Sequence, residues 1–422
     1  MHNRFRRYLP KGGFDLYQVS TDILHWSFLS VVVGLVVGFS VSFAIKGLEL
    51  AIESLHLPLF LLLPIILPLV GYITHKTFQE AVGDGTEEIV RAAIYEDRRL
   101  GFFSFFIKQI ATFTTILFGG SVGKEAPSAQ IGAYLSALLS KLFAINPAKK
   151  LIIVITGTSA GFAVVFGAPI TAGFFALEAL FAGRILYRVL VPSLISSFVA
   201  YWSMHVVGVD YIYHPIYLKF VPNFWELLHM LKAVVAGICF GLIGYMVILS
   251  MRFANDFAKR TAPHPLLKGF LGGTLLVALA LLFGDRYLGL GLEAIDASFY
   301  TPVQWYDPFI KDLFTSLTIA SGGSGGFVTP ILFIGSTAGN ALSTLLDADL
   351  KLYAALGFVS VLSGATNAPI ASIILAAELF GIEVAHFAAV TATISYLVSS
   401  KRSVFDPQTL DTIERRFKKH LN

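Results

Sequence analysis

A glutamate set in a glycine turn is the first place in this chain where chemistry could occur. The turn reads Gly119-Gly120-Ser121-Val122-Gly123-Lys124-Glu125-Ala126-Pro127 and lies between apolar stretches at 102–118 and 131–143. That context puts Glu125 at membrane depth. An unpaired carboxylate there is strongly disfavoured, so it must face protein interior or a wet pathway. The glycines let backbone approach a ligand and aim N–H groups at it. Pro127 suits the first turn of a helix, and a helix N-terminus beside a glycine turn attracts anions. From these residues alone two readings stand: an anion site containing a carboxylate, or a tight interhelical turn with Glu125 paired to a lysine.

A second copy of the turn favours the first reading. Gly323-Ser324-Gly325-Gly326-Phe327-Val328-Thr329-Pro330 repeats Gly120–Pro127 at an offset of 203, and Ile131-Gly132 recurs as Ile334-Gly335. Ala168-Pro169-Ile170 recurs as Ala368-Pro369-Ile370, and Glu178 as Glu378, at an offset of 200. The chain is therefore two diverged halves of about 200 residues, each with a glycine turn, a helix and an Ala-Pro-Ile break. Broken hydrophobic segments in corresponding positions point to a substrate site where the repeats meet. Helix N-termini from both halves would converge there on an anion, with Glu125 as a tethered competitor. Ionised, Glu125 fills the site; protonated, it swings out and yields to the substrate. One group that alternately holds a proton or admits an anion couples the two flows in opposite directions.

The elements that must position these residues are membrane helices. Hydrophobic residues make up 55% of the chain and charged residues 14%, with a mean hydropathy of +0.73. Soluble domains carry nearer a quarter charged residues, so this is a polytopic membrane protein, and with its apolar segments read as helices the expected fold class is all-α. Apolar segments run at about 23–46, 57–76, 102–118, 126–143, 151–166, 169–181, 186–207, 226–252, 266–283, 307–320, 328–345, 352–364, 369–380 and 384–399. Many fall short of the ~20 residues that span a bilayer and are expected to be partial helices lining a cavity. The polar stretches 208–225 and 293–306 read as surface loops, and 80–100 as an exposed, mixed-charge helix. The organisation expected is a cytoplasmic segment 1–22, a first repeat 23–207, an inter-repeat loop 208–225, a second repeat 226–400 and a cytoplasmic tail 401–422. Arg4, Arg6 and Arg7 at one end and Arg415, Arg416, Lys418 and Lys419 at the other put both termini in the cytoplasm of an inner-membrane protein. No signal peptide is expected. The basic residues cluster at the ends, which argues against nucleic-acid binding, and the ten histidines lack metal-ligand spacing. No cofactor is expected.

These motifs resemble the CLC family of anion channels and anion/proton exchangers over nearly the whole length. Gly123-Lys124-Glu125-Ala126-Pro127 is similar to the family's Gly-Lys/Arg-Glu-Gly-Pro motif, with Ala126 for a glycine. Gly326-Phe327-Val328-Thr329-Pro330 stands at the Gly-Ile-Phe-Ala-Pro motif, and Gly83-Asp84-Gly85-Thr86-Glu87 at Gly-Ser-Gly-Ile-Pro. The resemblance implies two inverted repeats of tilted and partial helices, and a homodimer with one halide and proton pathway per subunit. It assigns gating and proton transfer to Glu125, and anion binding to Gly83, Asp84, Gly85, Thr86, Gly123, Lys124, Phe327, Val328, Thr329 and Phe405. Lys124 reads either as attracting anions to the vestibule or as a snorkelling lysine. No cystathionine-synthase-type domains are expected after 401.

Departures from the family pattern bear on the anion. Asp84 stands at the serine and Phe405 at the tyrosine whose hydroxyls hold chloride in chloride-selective members, and neither supplies such a donor. The inner proton glutamate of chloride exchangers is replaced by Leu177-Glu178-Ala179-Leu180. Val328-Thr329-Pro330 is similar to the branch specialised for fluoride/proton exchange. The expectation is an anion/proton antiporter exporting a halide, fluoride ahead of chloride, with Thr329 and backbone N–H groups as donors. The alternatives are a passive anion channel of the same fold, or a membrane enzyme using Glu125 as a base. The last lacks a nucleophile, metal cluster or second carboxylate beside Glu125. Asp84 reads as a helix N-cap, and Glu178 and Glu378 as helix-end caps or paired groups.

Overall fold

The helices that follow the two glycine turns recur in both halves at nearly constant offsets. A computed structural model describes residues 16–54, 58–77, 102–146, 149–180, 187–211, 214–217, 224–262, 264–399 and 403–405. The first half contains α1 (Leu16–Ser54), α2 (Leu63–Thr77), α3 (Phe102–Leu117), α4 (Glu125–Leu142), α5 (Lys150–Phe166), α6 (Pro169–Leu180) and α7 (Tyr187–Val207). The second contains α8 (Phe224–Thr261), α9 (Pro265–Phe283), the short α10 (Leu292–Ala297), α11 (Asp307–Ala320), α12 (Val328–Leu345), α13 (Leu350–Thr366), α14 (Pro369–Phe380) and α15 (Ile382–Val398). The bounds of α4 and α12 differ by 203, and those of α5 and α13 and of α6 and α14 by 200. The loop between α12 and α13 is shorter than its counterpart between α4 and α5, which accounts for the change of offset. Segment 80–100 and both chain ends lie outside the described residues.

Local chemistry sets the breaks. Gly167 ends α5 in the left-handed region at φ 63°, and Asn367 ends α13 there at φ 58°. These are the two residue types that adopt this conformation most readily. Ala168 and Ala368 follow, and Pro169 and Pro369 start α6 and α14 without a donor to satisfy. Close crossings also repeat. A Cβ on Gly132 would fall 2.0 Å from the Gly157 carbonyl oxygen, and one on Gly335 2.4 Å from that of Gly357. The glycines let α4 meet α5, and α12 meet α13, backbone to backbone.

At 39 and 38 residues, α1 and α8 outrun their apolar segments. At ~1.5 Å per residue each exceeds the ~30 Å hydrocarbon core. The added turn of α1 carries Glu49. By length and composition, Leu24–Ser54, Leu59–Lys76, Tyr187–Val207, Leu228–Thr261 and Pro265–Phe283 can cross a membrane, and α5, α6 and α13–α15 are shorter apolar helices. Stretch 293–306 is not simply a surface loop: it holds most of α10, and Ile295 and Phe299 are buried.

The halves are joined by reciprocal bonds. Gly123 N–H donates to the Gly326 carbonyl at 2.7 Å, and Gly326 N–H to that of Gly123 at 2.9 Å, forming an antiparallel bridge. Ser121 N–H donates to Thr318 Oγ1, and Ser324 N–H to Thr115 Oγ1, both at 3.2 Å. Each bond has its mate at the equivalent position, as a two-fold relation between inverted halves requires.

A second exchange joins α6 and α14. Glu178, near the end of α6, accepts from Ile370 N–H at 3.3 Å and Ala371 N–H at 2.7 Å. Glu378, near the end of α14, accepts from Ile170 N–H at 2.9 Å, and from Thr171 N–H at 2.7 Å and its hydroxyl at 2.6 Å. Each helix is thus capped by the other half's carboxylate, where the partner's dipole favours negative charge. Glutamine would turn an NH2 toward donors that need an acceptor. Glu178→Gln and Glu378→Gln are each expected to destabilise the protein by about 1.5–3 kcal/mol, the range for hydrogen bonds to charged groups. The check is a lowered thermal unfolding temperature in detergent. Parent-like melting of both variants would show that the caps contribute nothing.

Candidate functional site

The N-termini of α4 and α12 meet at the Gly123–Gly326 bridge, and the side chain of Glu125 lies across that meeting point. Glu125 is the first residue of α4 and only 2% exposed. Its Oε1 accepts a short hydrogen bond from the Thr329 hydroxyl in the first turn of α12, and the N–H groups of Glu125 and Thr329 face the carboxylate. Its Oε2 is buried without a hydrogen bond among the described residues and packs against Gly123, where a Cβ would come within 2.1 Å. Two free helix ends and a hydroxyl thus surround one carboxylate group, a set of donors that also suits a small free anion.

The two halves contribute unlike residues to this spot. Position 125 is the glutamate and its counterpart Val328 is apolar; Thr329 is the hydroxyl and its counterpart Ala126 has none. Phe327, preceding α12, is 7% exposed and Val328 is 4% exposed. Phe405 is buried. Its segment docks on the end of α13 through Val404 N–H to the Ala365 carbonyl at 2.9 Å, and Phe405 is not among the side chains lining the cavity above Glu125. Gly83, Asp84, Gly85 and Thr86 lie outside the described residues.

Lys124 does not snorkel. It is 3% exposed, with Nζ 3.8 Å from Glu49 Oε1 and 5.0 Å from the centroid of the Tyr211 ring. Its charge is held inside the protein beside Glu125, balanced by a residue of α1.

A cavity of about 270 Å³ opens above Glu125 and Thr329, and its walls include Lys124, Tyr211, His214, Asp296 and Phe299. Most of these come from the stretches that read as surface loops. The sequence offered no periodic signal for them, because short irregular segments bury their residues through tertiary contact alone.

Lys311 is a further buried charge near the site. It lies inside the apolar segment 307–320, where a lysine is itself a signal. Fully buried, it donates to the carbonyls of Tyr287 and Gly289, each at 3.0 Å, and lies 5.0 Å from the Phe333 ring centroid. Gly289 N–H in turn donates to the Gly119 carbonyl at 3.1 Å. Lys311 therefore pins the strand of backbone that leads into α10 against the first glycine turn. Beside it, Asp307 accepts from Arg286 and the Tyr287 hydroxyl, each at 2.5 Å.

Comparison with known proteins matches this architecture. The profile of the voltage gated chloride channel family covers residues 66–400. A chloride/fluoride channel protein of Pseudomonas syringae pv. tomato is 36% identical over 306 residues, 71% of this chain and 67% of that protein. The crystal structure of a CLC-type fluoride/proton antiporter superposes with a TM-score of 0.85 at 31% identity, covering 92% of this chain and 98% of the other. A slow cyanobacterial Cl−/H+ antiporter shares the fold at a TM-score of 0.76 and 19% identity, over 94% and 99% of the two chains.

Proposed function

The chain belongs to the voltage-gated chloride channel (CLC) family and is a CLC-type anion transporter, and from that premise we propose that it exchanges fluoride for protons through Glu125. The observation that carries the reading is the Glu125 carboxylate seated between the N-termini of α4 and α12 with the Thr329 hydroxyl on it. Ionised, the carboxylate satisfies those donors and blocks the path. On taking a proton it loses its charge, the helix ends hold it less strongly, and it withdraws into the cavity. The vacated donors then receive an anion. The returning anion and the returning carboxylate exclude each other, so one proton-binding group governs both flows.

Fluoride fits the donors better than chloride. It is small and strongly hydrated, and several short hydrogen bonds must replace its water. Thr329 Oγ1 and converging backbone N–H groups can close round a small ion, while Phe405 supplies no hydroxyl for a larger one. The likeness to a fluoride/proton antiporter and to a chloride/fluoride channel protein supports this choice. The transporter would work as a homodimer in the inner membrane with both termini in the cytoplasm.

The test is paired efflux from vesicles loaded with each salt in turn, with pH recorded. Fluoride is expected to leave faster than chloride and to drive protons the opposite way. Thr329→Val keeps side-chain shape and loses the donor, so fluoride flux is expected to fall about tenfold, the effect of about 1.4 kcal/mol. Chloride efflux matching or exceeding fluoride efflux would defeat the fluoride assignment. Anion efflux without proton movement would identify a passive channel.

A further inference from the structure

The cavity that ends at Glu125 has a second polar feature at its wall. His214 Nε2 lies 3.3 Å from Asp296 Oδ1, its Nδ1 lies 3.0 Å from the Tyr300 hydroxyl, and its ring stacks on Phe299 at 4.4 Å and 12°. Asp296 and His214 both line the cavity, as does Glu125. The same lining includes Asp210, which is paired with His205 at 3.0 Å. The buried Oε2 of Glu125, without a hydrogen-bond partner among the described residues, marks the inner end of this space as a place for a hydrogen or a hydrogen-bond donor. A cavity of about 270 Å³ has room for a chain of water molecules between the two.

We propose that His214, held by Asp296, is a proton relay that loads Glu125 from the solution at the mouth of the cavity. The ring takes a proton from the solution at the cavity mouth, and the Asp296 carboxylate balances the imidazolium charge. An N–H bond then breaks at His214 as an O–H bond forms at Glu125 Oε2, by way of water, returning the ring to neutrality and neutralising the carboxylate. His214 belongs to the segment between α7 and α8, outside the membrane helices. Burial lowers its proton affinity below that of an ordinary histidine; Asp296 opposes this and Lys351 adds to it. Such a ring releases its proton readily. Lys351 stands 5.3 Å over the Tyr300 ring and donates to the Pro215 carbonyl at 3.2 Å. Across the cavity the charged and titratable groups among the described residues are Glu49, Lys124, Asp210 and Tyr211. Among the described residues acidic groups outnumber basic ones there, which favours the arrival of protons.

This inference rests on the exchanger reading, and its test separates the two. Coupled proton flux is measured in vesicles as a function of outer pH for the parent, His214→Gln and Asp296→Asn. Both variants are expected to lose about tenfold at pH 8, where free protons are scarce, and to regain parent rates near pH 5.5. Anion flux in a Glu125→Gln background is expected to be unchanged by His214→Gln, because no proton has to reach the gate. An equal loss at every pH would assign His214 a packing role against Phe299 and overturn the relay. Variants that match the parent at pH 8 would overturn it as well, leaving the exchanger reading intact. A parent that moves anions without protons would overturn both.

Discussion

Glu125→Gln is expected to reduce proton uptake driven by an anion gradient to the level of protein-free vesicles, while anions continue to move. Glutamine fills the same volume but cannot titrate, so the step that ties the two flows together is absent. Its neutral amide is also held less strongly by the ends of α4 and α12 than a carboxylate is. The site therefore stands open more of the time. Anion flux and pH, recorded in the same vesicles, give both quantities. Proton uptake persisting at the parent ratio would remove Glu125 from the coupling step.

A comparably large effect is expected from a methyl group. In Gly123→Ala the new Cβ would lie 2.1 Å from Glu125 Oε2 and 3.1 Å from Thr329 N. Gly123 does not have the positive φ that would demand glycine, so the strain is confined to the space above it. The flexible carboxylate can leave, but the methyl then occupies the volume in which an anion would meet Thr329. Anion flux is expected to drop at least tenfold, more than about 1.4 kcal/mol of barrier, with a parent-like elution profile in detergent. The same drop is expected when the substitution is made in a Glu125→Gln background, which separates obstruction of the site from displacement of the gate. Undiminished flux in that double variant would place the anion elsewhere.

The repeat made much of the architecture legible beforehand. Offsets of 203 and 200 are a property of residue identity, and they predict paired helices because equivalent glycines and prolines break both halves at equivalent points. Glu125 and Thr329 could be brought together for the same reason: they lie one position apart within two copies of one turn. Pairings within a single half had no such guide. Glu49 reaches Lys124 from a turn of α1 beyond its apolar segment, and nothing in the spacing of a lone glutamate announces that. His214, Asp296 and Phe299 were hidden because polarity and short length make a stretch look like a surface loop, whereas burial depends on what folds over it. The partners of Glu178 and Glu378 were half visible: equivalence suggested capping, but only the antiparallel approach of α6 and α14 shows that each caps the other's helix.

That exchange of caps bears on how the chain is made. Synthesis delivers the first half to the bilayer while the second is still unmade. At that stage the N–H groups of Ile170 and Thr171 have no Glu378 to accept them, Gly123 has no Gly326 carbonyl, and Glu178 has no helix end to meet. A nascent first half therefore waits in the membrane with polar backbone unmatched at its broken helices. Arrival of the second half satisfies both sets of groups in a single closing step. Until the ribosome has passed residue 378, the newborn chain depends on water, lipid headgroups or the insertion machinery to shelter them.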